Sequence, residues 1–373
     1  MPPIDYGTVG LVLALKGLIL MFGAIAYQVQ ADQPLTHWQE GLALWNRWDA
    51  PHYINIAENG YQATGDDRRL VVFFPLFPWL VRLVATLNGN FVLSGFLVSG
   101  LASVAAAVLL QELVRLETFR TFGFVASEQV ASRTVWFFLI FPTSYFLHIG
   151  YTESLFIALV LGCLLAARRQ QWWLAGGLGL LANLTRSSGI VLIPVLLVEV
   201  AQQYWLIRRL QRGWGWIALV PLGFAIYLLC NFLATGNPFE FLIHQREYWH
   251  KFLTFPWVGM GNRLGELPTS APWRYQMVGM QEFFFIGLGL VGTVWSWLNL
   301  RPSYAIWMTG NWLLFTSTSH LLSIPRYTLV MFPLFVMFAQ WSRNRITNGV
   351  ITAWSLLFLA LFIGQFVQGK WAF

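Results

Sequence analysis

One polar segment near the start of the chain carries the residue types that acid–base chemistry requires. It reads RWDAPHYINIAENGY over residues 47–61 and places Asp49 beside Trp48, just before a run that holds His52 and Tyr53. A positioned carboxylate can take a proton from a hydroxyl group, which makes Asp49 a candidate general base. The proline two residues later equally predicts a helix start that Asp49 caps. The residues alone leave capping and chemistry open, and one side chain can do both.

A second carboxylate, Glu153, follows Tyr151 in the segment YTES at the mouth of two apolar runs. Ionisable groups at membrane depth are costly and are functional candidates for that reason. Glu153 is therefore a candidate for chemistry or substrate binding. The alternative is an N-cap or an ion pair at a helix start.

Two arginines interrupt apolar stretches in the second half of the chain. Arg186 lies in the segment TRSSG, and Arg326 lies in the segment PRY beside Tyr327. Arginine is always charged and binds phosphate oxygens with a forked geometry, and helix N-termini favour the same anions. The pair suits an anionic lipid headgroup, with snorkelling of the side chains to the membrane surface as the alternative.

Several classes of protein are excluded by what the sequence holds. The six histidines and the two cysteines do not show the spacing of a metal site, and Cys163 and Cys230 each lie inside an apolar run. The glycines of GGLGLL at 176–181 fall in an apolar helix, where glycine usually permits close helix packing. The net charge of +7 is spread over pairs and triplets of basic residues rather than one patch, so we expect no nucleic-acid partner.

The elements that must position these residues are membrane helices. Of the 373 residues, 57% are hydrophobic and only 10% are charged, against about 25% charged in soluble domains. Apolar runs, most of them near the ~17–25 residues that a membrane span requires, lie at 8–28, 91–114, 134–149, 152–167, 172–185, 188–205, 215–234, 281–299, 303–319, 326–341 and 347–367. The run 71–87 is ambiguous, because its two prolines and one arginine favour a helix lying in the interface. We predict an all-α polytopic protein with an uncleaved first span.

Loop charges predict the topology. If 71–87 does not span, eleven arginines of the short loops lie on the cytoplasmic side, as the positive-inside rule requires. These are Arg115, Arg120, Arg133, Arg168, Arg169, Arg208, Arg209, Arg212, Arg301, Arg343 and Arg345. The same parity places all four polar motifs on the opposite side. We therefore expect about eleven spans, a cytoplasmic N-terminus, long outer loops at 29–90 and 235–280, and a single domain over 1–373.

Together these motifs resemble the PIG-V family, the GPI mannosyltransferase 2 type of the GT-C membrane glycosyltransferases. The matching segments are RWDAPHYINIAENGY, FFPLFP, FPTSYFLHIGYTESLF, TRSSG and PRY. The resemblance implies a GT-C fold with interfacial helices in the first outer loop, and a catalytic aspartate at Asp49. It also implies an inverting, metal-independent transfer of mannose or a similar hexose from a polyprenyl-phosphate donor to a lipid or glycan acceptor. Because the chain is short for a eukaryotic member, we expect a prokaryotic relative.

Further roles follow from this resemblance and the charges above. Arg186, Arg326 and His52 are candidates for binding the donor phosphate, where negative charge develops. Candidates for binding the substrates are Glu153, Tyr151, Trp48, Tyr53 and Tyr327. No protein partner and no cofactor are indicated. We expect the active site on the periplasmic face of a plasma membrane, or on the lumenal face in a eukaryote.

The alternative from another class is a secondary transporter or a flippase of a sugar or lipid-linked sugar. Many spans and scarce intramembrane charges suit a transporter. Against it, the sequence shows no internal repeat of the kind many transporters have, and its polar motifs converge on one face. A scaffold subunit without catalysis is a third possibility.

Overall fold

The computed structural model describes residues 5–269, 271 and 274–373, and within these ranges the chain is helical. Three residues of the predicted outer loop 235–280, at 270, 272 and 273, lie outside the described residues. The α-helices are α1 Tyr6–Ala31, α2 Trp38–Ala43, α3 Ala50–Asn59, α4 Leu76–Asn88, α5 Phe91–Ile140, α6 Glu153–Arg168, α7 Trp172–Asn183, α8 Leu192–Ile207, α9 Val220–Thr235, α10 Glu240–Glu247, α11 Pro256–Glu266, α12 Met280–Asn299, α13 Pro302–Thr316, α14 Ile324–Thr328, α15 Pro333–Trp341 and α16 Arg345–Phe366. The predicted all-α class is confirmed.

Spatial clustering divides the described chain into two compact units, each built from separate segments of sequence. The first unit comprises residues 1–54, 79–161 and 332–372, and the second comprises 55–78, 162–331 and 373. The prediction of a single domain over 1–373 stays a prediction.

Five described helical segments are long and apolar enough to cross a membrane. They are Tyr6–Ala31, Phe91–Thr118, Ser187–Ile207, Arg212–Thr235 and Arg345–Phe366. The long helix α5 breaks at Gly123, whose φ of 75° is a backbone conformation that favours glycine. The other apolar runs form helices that are shorter, broken or more polar, so the count of eleven spans stays a prediction.

The ambiguous run 71–87 is not one straight helix. A 3₁₀ turn at Asp66–Val72 and helix α4 meet at 112°. Helix α4 has 13 residues and is therefore about 20 Å long, shorter than the ~30 Å hydrocarbon core. Along α4 the side chains of Trp79, Leu83 and Leu87 are exposed at a spacing of four residues. This stripe fits the predicted interfacial helix.

The core of the first unit is aromatic. The ring of Trp45 lies 6.2 Å from that of Tyr145 and stacks on Phe366 at 5.9 Å. Trp45 is 1% exposed, and a Cβ built on Gly23 would lie 2.3 Å from its ring. Because residue 23 of α1 is glycine, the ring of Trp45 can lie against the helix backbone.

A lysine lies in the middle of the apolar helix α1. The ammonium of Lys16 donates hydrogen bonds to the carbonyl oxygens of Phe96 at 3.1 Å and His148 at 3.0 Å. A Cβ on Gly100 would lie 2.8 Å from the Lys16 Nζ, so glycine makes room for it on α5. The lysine therefore joins α1 and α5 to the segment that follows α5.

In the second unit, the glycines of GGLGLL pack as predicted. A Cβ on Gly176 would lie 2.2 Å from the carbonyl oxygen of Trp216, and one on Gly179 would lie 2.7 Å from Val220. At the adjacent Gly177 a Cβ would meet nothing within 4 Å. Only one face of α7 thus needs glycine, and that face contacts the backbone of Trp216 and the side chain of Val220.

Two loop segments of the second unit pair through their backbones. Thr254 donates to the carbonyl of Ser317 at 3.2 Å, and Ser319 donates to the carbonyl of Phe252 at 3.0 Å. The hydroxyl of Ser319 also donates to the carbonyl of His250 at 2.8 Å. The segment 250–254 is therefore held against the segment that follows α13.

Candidate functional site

Asp49 lies immediately before helix α3, which confirms the predicted helix start. Its carbonyl oxygen accepts hydrogen bonds from the backbone N–H groups of His52 at 3.1 Å and Tyr53 at 3.2 Å. The side chains of Asp49 and His52 are half-buried. The backbone of Asp49 is thus fixed at a helix start, and its side chain is partly accessible.

The hydroxyl of Tyr151 holds the backbone on both sides of Trp48. It donates to the carbonyl of Arg47 at 2.7 Å and accepts from the backbone N–H of Asp49 at 3.3 Å. Between them, Trp48 has a φ of 58°, a left-handed conformation that non-glycine residues adopt at a cost of order 1–3 kcal/mol. The two motifs that carry Asp49 and Tyr151, about a hundred residues apart, therefore meet at one strained residue.

Aromatic rings surround this contact. The ring of Tyr53 lies 6.3 Å from that of Tyr151, edge to face, and the ring of Phe146 lies 4.8 Å from Tyr151. On the other side, Trp48 packs edge-on against Trp371 at 4.9 Å. Trp48 is 38% exposed and Tyr53 is 7% exposed, so the tryptophan is the more available of the two for stacking on a ligand.

Glu153 is the first residue of α6 and has no exposed surface. Nearby, the backbone carbonyl of Tyr151 accepts a hydrogen bond from the hydroxyl of Ser99 at 3.1 Å. His148 is equally buried, and neither of its ring nitrogens has a hydrogen-bond partner among the described residues. The segment between α5 and α6 thus concentrates buried polar groups within the first unit.

The turn that carries Arg186 is built in the second unit. The backbone N–H of Leu76, from the segment FFPLFP, donates to the carbonyl of Leu184 at 3.3 Å. A Cβ on Gly189 would lie 2.5 Å from the Cα of Asn183, so the chain doubles back closely after α7. These contacts hold Arg186 in extended backbone (φ −154°) between α7 and the short helical turn Ser187–Val191.

The turn that carries Arg326 and Tyr327 is anchored by a residue that the sequence had not singled out. The buried carboxylate of Glu282 accepts backbone hydrogen bonds from Ser323 at 2.7 Å and Ile324 at 2.8 Å. Ser323 has a φ of 74° and directly precedes α14. The carboxylate thus satisfies the N–H groups that the helix start exposes.

Three cations surround the ring of Tyr327. Its centroid lies 5.7 Å from the guanidinium of Arg186, 5.5 Å from that of Arg326 and 5.2 Å from the ammonium of Lys251. Burial lowers the pKa of His320, with Glu266 acting in the opposite direction and Lys251 in the same direction as burial. The cluster is strongly positive and suits an anion.

The predicted site residues therefore form two groups. Asp49, His52, Trp48, Tyr53, Tyr151 and Glu153 lie in the first unit, and Arg186, Arg326 and Tyr327 lie in the second. The sequence motifs did not identify Lys251 or Glu282 as site residues. Lys251 sits in a long polar loop where a lysine is ordinary, whereas a carboxylate at the start of an apolar run, as in Glu282, is a signal that could have been used.

No group of three or more His, Cys, Asp or Glu side chains among the described residues is arranged to hold a metal ion. Metal independence stays a prediction, because it concerns the reaction rather than the resting chain. The groups available for chemistry are a carboxylate held at a helix start and a cationic cluster.

Comparison with known sequences decides the family. The model of the family described as Mannosyltransferase (PIG-V) matches residues 29–240, more than half of the chain. The chain belongs to the PIG-V mannosyltransferase family. The resemblance drawn from the motifs is confirmed, and the match includes Asp49, Glu153 and Arg186.

Curated relatives from eukaryotes share part of this chain. It is 33% identical over 227 residues to GPI mannosyltransferase 2 of Schizosaccharomyces pombe, covering 55% of this chain and 47% of that protein. It is 32% identical over 183 residues to GPI alpha-1,6-mannosyltransferase 2 of Cricetulus griseus, covering 46% of this chain and 34% of that protein. The chain thus covers less than half of either relative's length.

A solved structure shares the fold. ArnT from Cupriavidus metallidurans, bound to undecaprenyl phosphate, matches with a TM-score of 0.52 at 18% identity over 92% of this chain and 62% of that one. This PIG-V member is therefore a multi-pass integral membrane protein with the predicted GT-C fold.

Proposed function

We propose that this chain is an inverting mannosyltransferase, or transferase of a similar hexose, that uses a polyprenyl-phosphate donor. The observation that carries the proposal is the placement of Asp49. It is a half-buried residue whose backbone is fixed by hydrogen bonds at a helix start, inside the range matched to a mannosyltransferase family. The acceptor is a hydroxyl group of a lipid or glycan.

In the proposed reaction, the acceptor oxygen attacks the anomeric carbon from the side opposite the lipid phosphate. The new carbon–oxygen bond forms as the bond to the phosphate oxygen breaks, so the configuration inverts. Asp49 takes the proton of the acceptor hydroxyl, and a positioned base of this kind typically contributes 10²–10⁴-fold in rate. The lipid phosphate leaves with the bonding electrons and needs no proton.

The negative charge on the departing phosphate calls for preorganised positive charge. Arg186 and Arg326 are proposed to supply it, together with His52 when protonated. Glu153 and Tyr151 are proposed to position sugar hydroxyls or the backbone around Asp49, and Trp48, Tyr53 and Tyr327 to contact the sugar or the prenyl chain. No metal is assigned a role.

We place the site on the non-cytoplasmic face. The eleven arginines of the short loops support this side, because they follow the positive-inside rule only if the first outer loop faces away from the cytoplasm. In a prokaryote this is the periplasmic or external face of the plasma membrane, and in a eukaryote it is the lumenal face.

The test is sugar transfer by the purified protein in lipid nanodiscs. Radiolabelled polyprenyl-phosphate mannose is supplied with a lipid extract of the host's membranes, and labelled products are separated and identified. We expect a new labelled product from the wild type and a loss of at least about a hundredfold in Asp49→Asn. Asp32→Asn is the matched control, because Asp32 is exposed and asparagine tolerates its left-handed backbone.

Other results of this experiment would contradict particular parts of the proposal. Full activity of Asp49→Asn would exclude this residue as the base. With the protein in sealed proteoliposomes, passage of the unaltered donor across the bilayer would indicate the transporter or flippase. Absence of transfer from mannose, glucose and arabinose donors would contradict the donor class. The anomeric configuration of the product, read by NMR, tests inversion.

A further inference from the structure

A cavity of about 480 Å³ lies entirely within the second unit. Its lining is Arg186, Ser187, Ser188, Leu242, Gln245, Arg246, Lys251, Phe252, Leu253, Leu314, Phe315, Ser317, Thr318 and Tyr327. Among the described residues, the lining holds three cations and four hydroxyls besides that of the tyrosine, and it includes no carboxylate. This composition favours an anion with oxygen atoms that accept hydrogen bonds.

Two of the three cations, Arg246 and Lys251, come from the second outer loop and have N–H groups available to a ligand. Arg246 stacks on Phe252, with 5.4 Å from the guanidinium to the ring, and forms no hydrogen bond or ion pair with the described residues. Lys251 donates to the carbonyl of Leu322 at 3.3 Å and to the hydroxyl of Tyr327 at 3.2 Å. An ammonium has three N–H groups, so one of them is available to a ligand.

Several apolar side chains of the cavity lining are exposed. Leu253 is 83% exposed, Leu242 is 53% exposed and Phe252 is 51% exposed. The backbone pairing of the segment 252–254 with 317–319 fixes Phe252 and Leu253 beside the cations. Cations beside exposed apolar side chains fit a phosphate carried on a hydrocarbon chain better than a free anion or a neutral sugar.

We propose that Arg246 and Lys251, with Arg186, bind the phosphate of a polyprenyl-phosphate lipid, and that its chain leaves over Leu242 and Leu253. This inference rests on the proposed function and makes the site more specific. Arg326 is 5% exposed and is absent from the described lining of the cavity, so the cavity site does not depend on it.

The test is equilibrium binding of polyprenyl monophosphate, without sugar, to the protein in nanodiscs of neutral lipid. Lys251→Met and Arg246→Gln remove charge with little change in length. We expect each variant to raise the Kd about tenfold, because the loss of one charge-assisted hydrogen bond changes a Kd by about that factor. Arg209→Gln is the control, because Arg209 is an exposed arginine of the same unit that does not line the cavity. Lys251→Arg keeps the charge and should bind better than Lys251→Met, which separates lost binding from misfolding.

Competing ligands identify the source of the phosphate. Phosphatidylglycerol and inorganic phosphate are compared with unlabelled polyprenyl phosphate as competitors. If either displaces the probe equally well, the proposal is overturned in favour of a general anion site. Unchanged binding in both charge-removing variants would overturn it as well. If the wild type transfers sugar and the variants keep their KM for the donor, the cavity assignment fails while the transferase stands. If the variants lose binding but the wild type transfers nothing, the proposed function fails while the lipid-phosphate site stands.

Discussion

Removing the hydroxyl oxygen of Tyr151 tests whether this group positions Asp49. Tyr151→Phe keeps the ring and its contacts with Tyr53 and Phe146, at 6.3 and 4.8 Å. It removes the donor to the Arg47 carbonyl and the acceptor of the Asp49 N–H. These two bonds flank Trp48, whose left-handed backbone is unfavourable by itself. Without them, we expect Trp48 to relax and Asp49 to move from its place at the helix start.

The expected size of the effect on kcat follows from the buried polar groups that lose their hydrogen-bond partner. Tyr151 is 1% exposed, and a buried polar group left without its partner costs about 1–3 kcal/mol. If that loss appears in the transition state, each ~1.4 kcal/mol lowers the rate tenfold. We therefore expect kcat for sugar transfer to fall about ten- to a hundredfold in Tyr151→Phe, with little change in the affinity for polyprenyl phosphate.

The assay is the nanodisc transfer reaction, with kcat and KM measured separately. In the Asp49→Asn background, Tyr151→Phe should have almost no further effect on transfer, because residues that act as a unit are not additive. The expected kcat loss would be refuted if Tyr151→Phe transferred sugar at the wild-type rate. A loss confined to KM would place the hydroxyl in substrate binding instead of in positioning Asp49.

Two further predictions concern stability and share one measurement, the apparent unfolding temperature in detergent. Gly176→Ala places a methyl group 2.2 Å from the Trp216 carbonyl and should cost about 1–3 kcal/mol, whereas Gly177→Ala, with nothing within 4 Å, should be neutral or slightly stabilising; equal effects would show that α7 does not pack as described. Glu282→Gln replaces one of two acceptors by a donor facing a backbone N–H, so it should cost about 1.5–3 kcal/mol, with the exposed Glu247→Gln as control. An unfolding temperature within a degree of wild type would mean that the Ser323 and Ile324 N–H groups do not depend on the carboxylate.

The family, the fold class and the helix start at Asp49 could be predicted from the sequence because each depends on local pattern. Apolar runs identify membrane helices, and the proline at 51 identifies a helix start. The meeting of Tyr151 with Asp49 could be expected only as a shared side of the membrane, since loop parity gives the side and no distance. The strained backbone of Trp48 has no signature in its own residue type.

The cationic cavity was only partly predictable. Arg186 stood out because it interrupts apolar sequence, but Arg246 and Lys251 lie in a polar loop where charge is expected. They reach Tyr327 because the segment 252–254 pairs with 317–319, a contact that no periodicity encodes. The phosphate role of Arg326 stays a prediction, because it is 5% exposed and is not among the described residues that line the cavity.

The half-buried Lys16 of α1 affects how the first span inserts into the membrane during synthesis. Lys16 enters the bilayer with the first span, but the carbonyls that satisfy it belong to residues 80 and 132 positions later in the chain. A lysine at the centre of a helix raises the free energy of insertion by about 2.5–3.5 kcal/mol. At about 5–20 residues per second, ribosomes need roughly 7–26 s to deliver the second carbonyl. During that interval the first helix must be tolerated with an unpartnered cation at mid-depth, either through its apolar flanks or by remaining beside the translocation machinery.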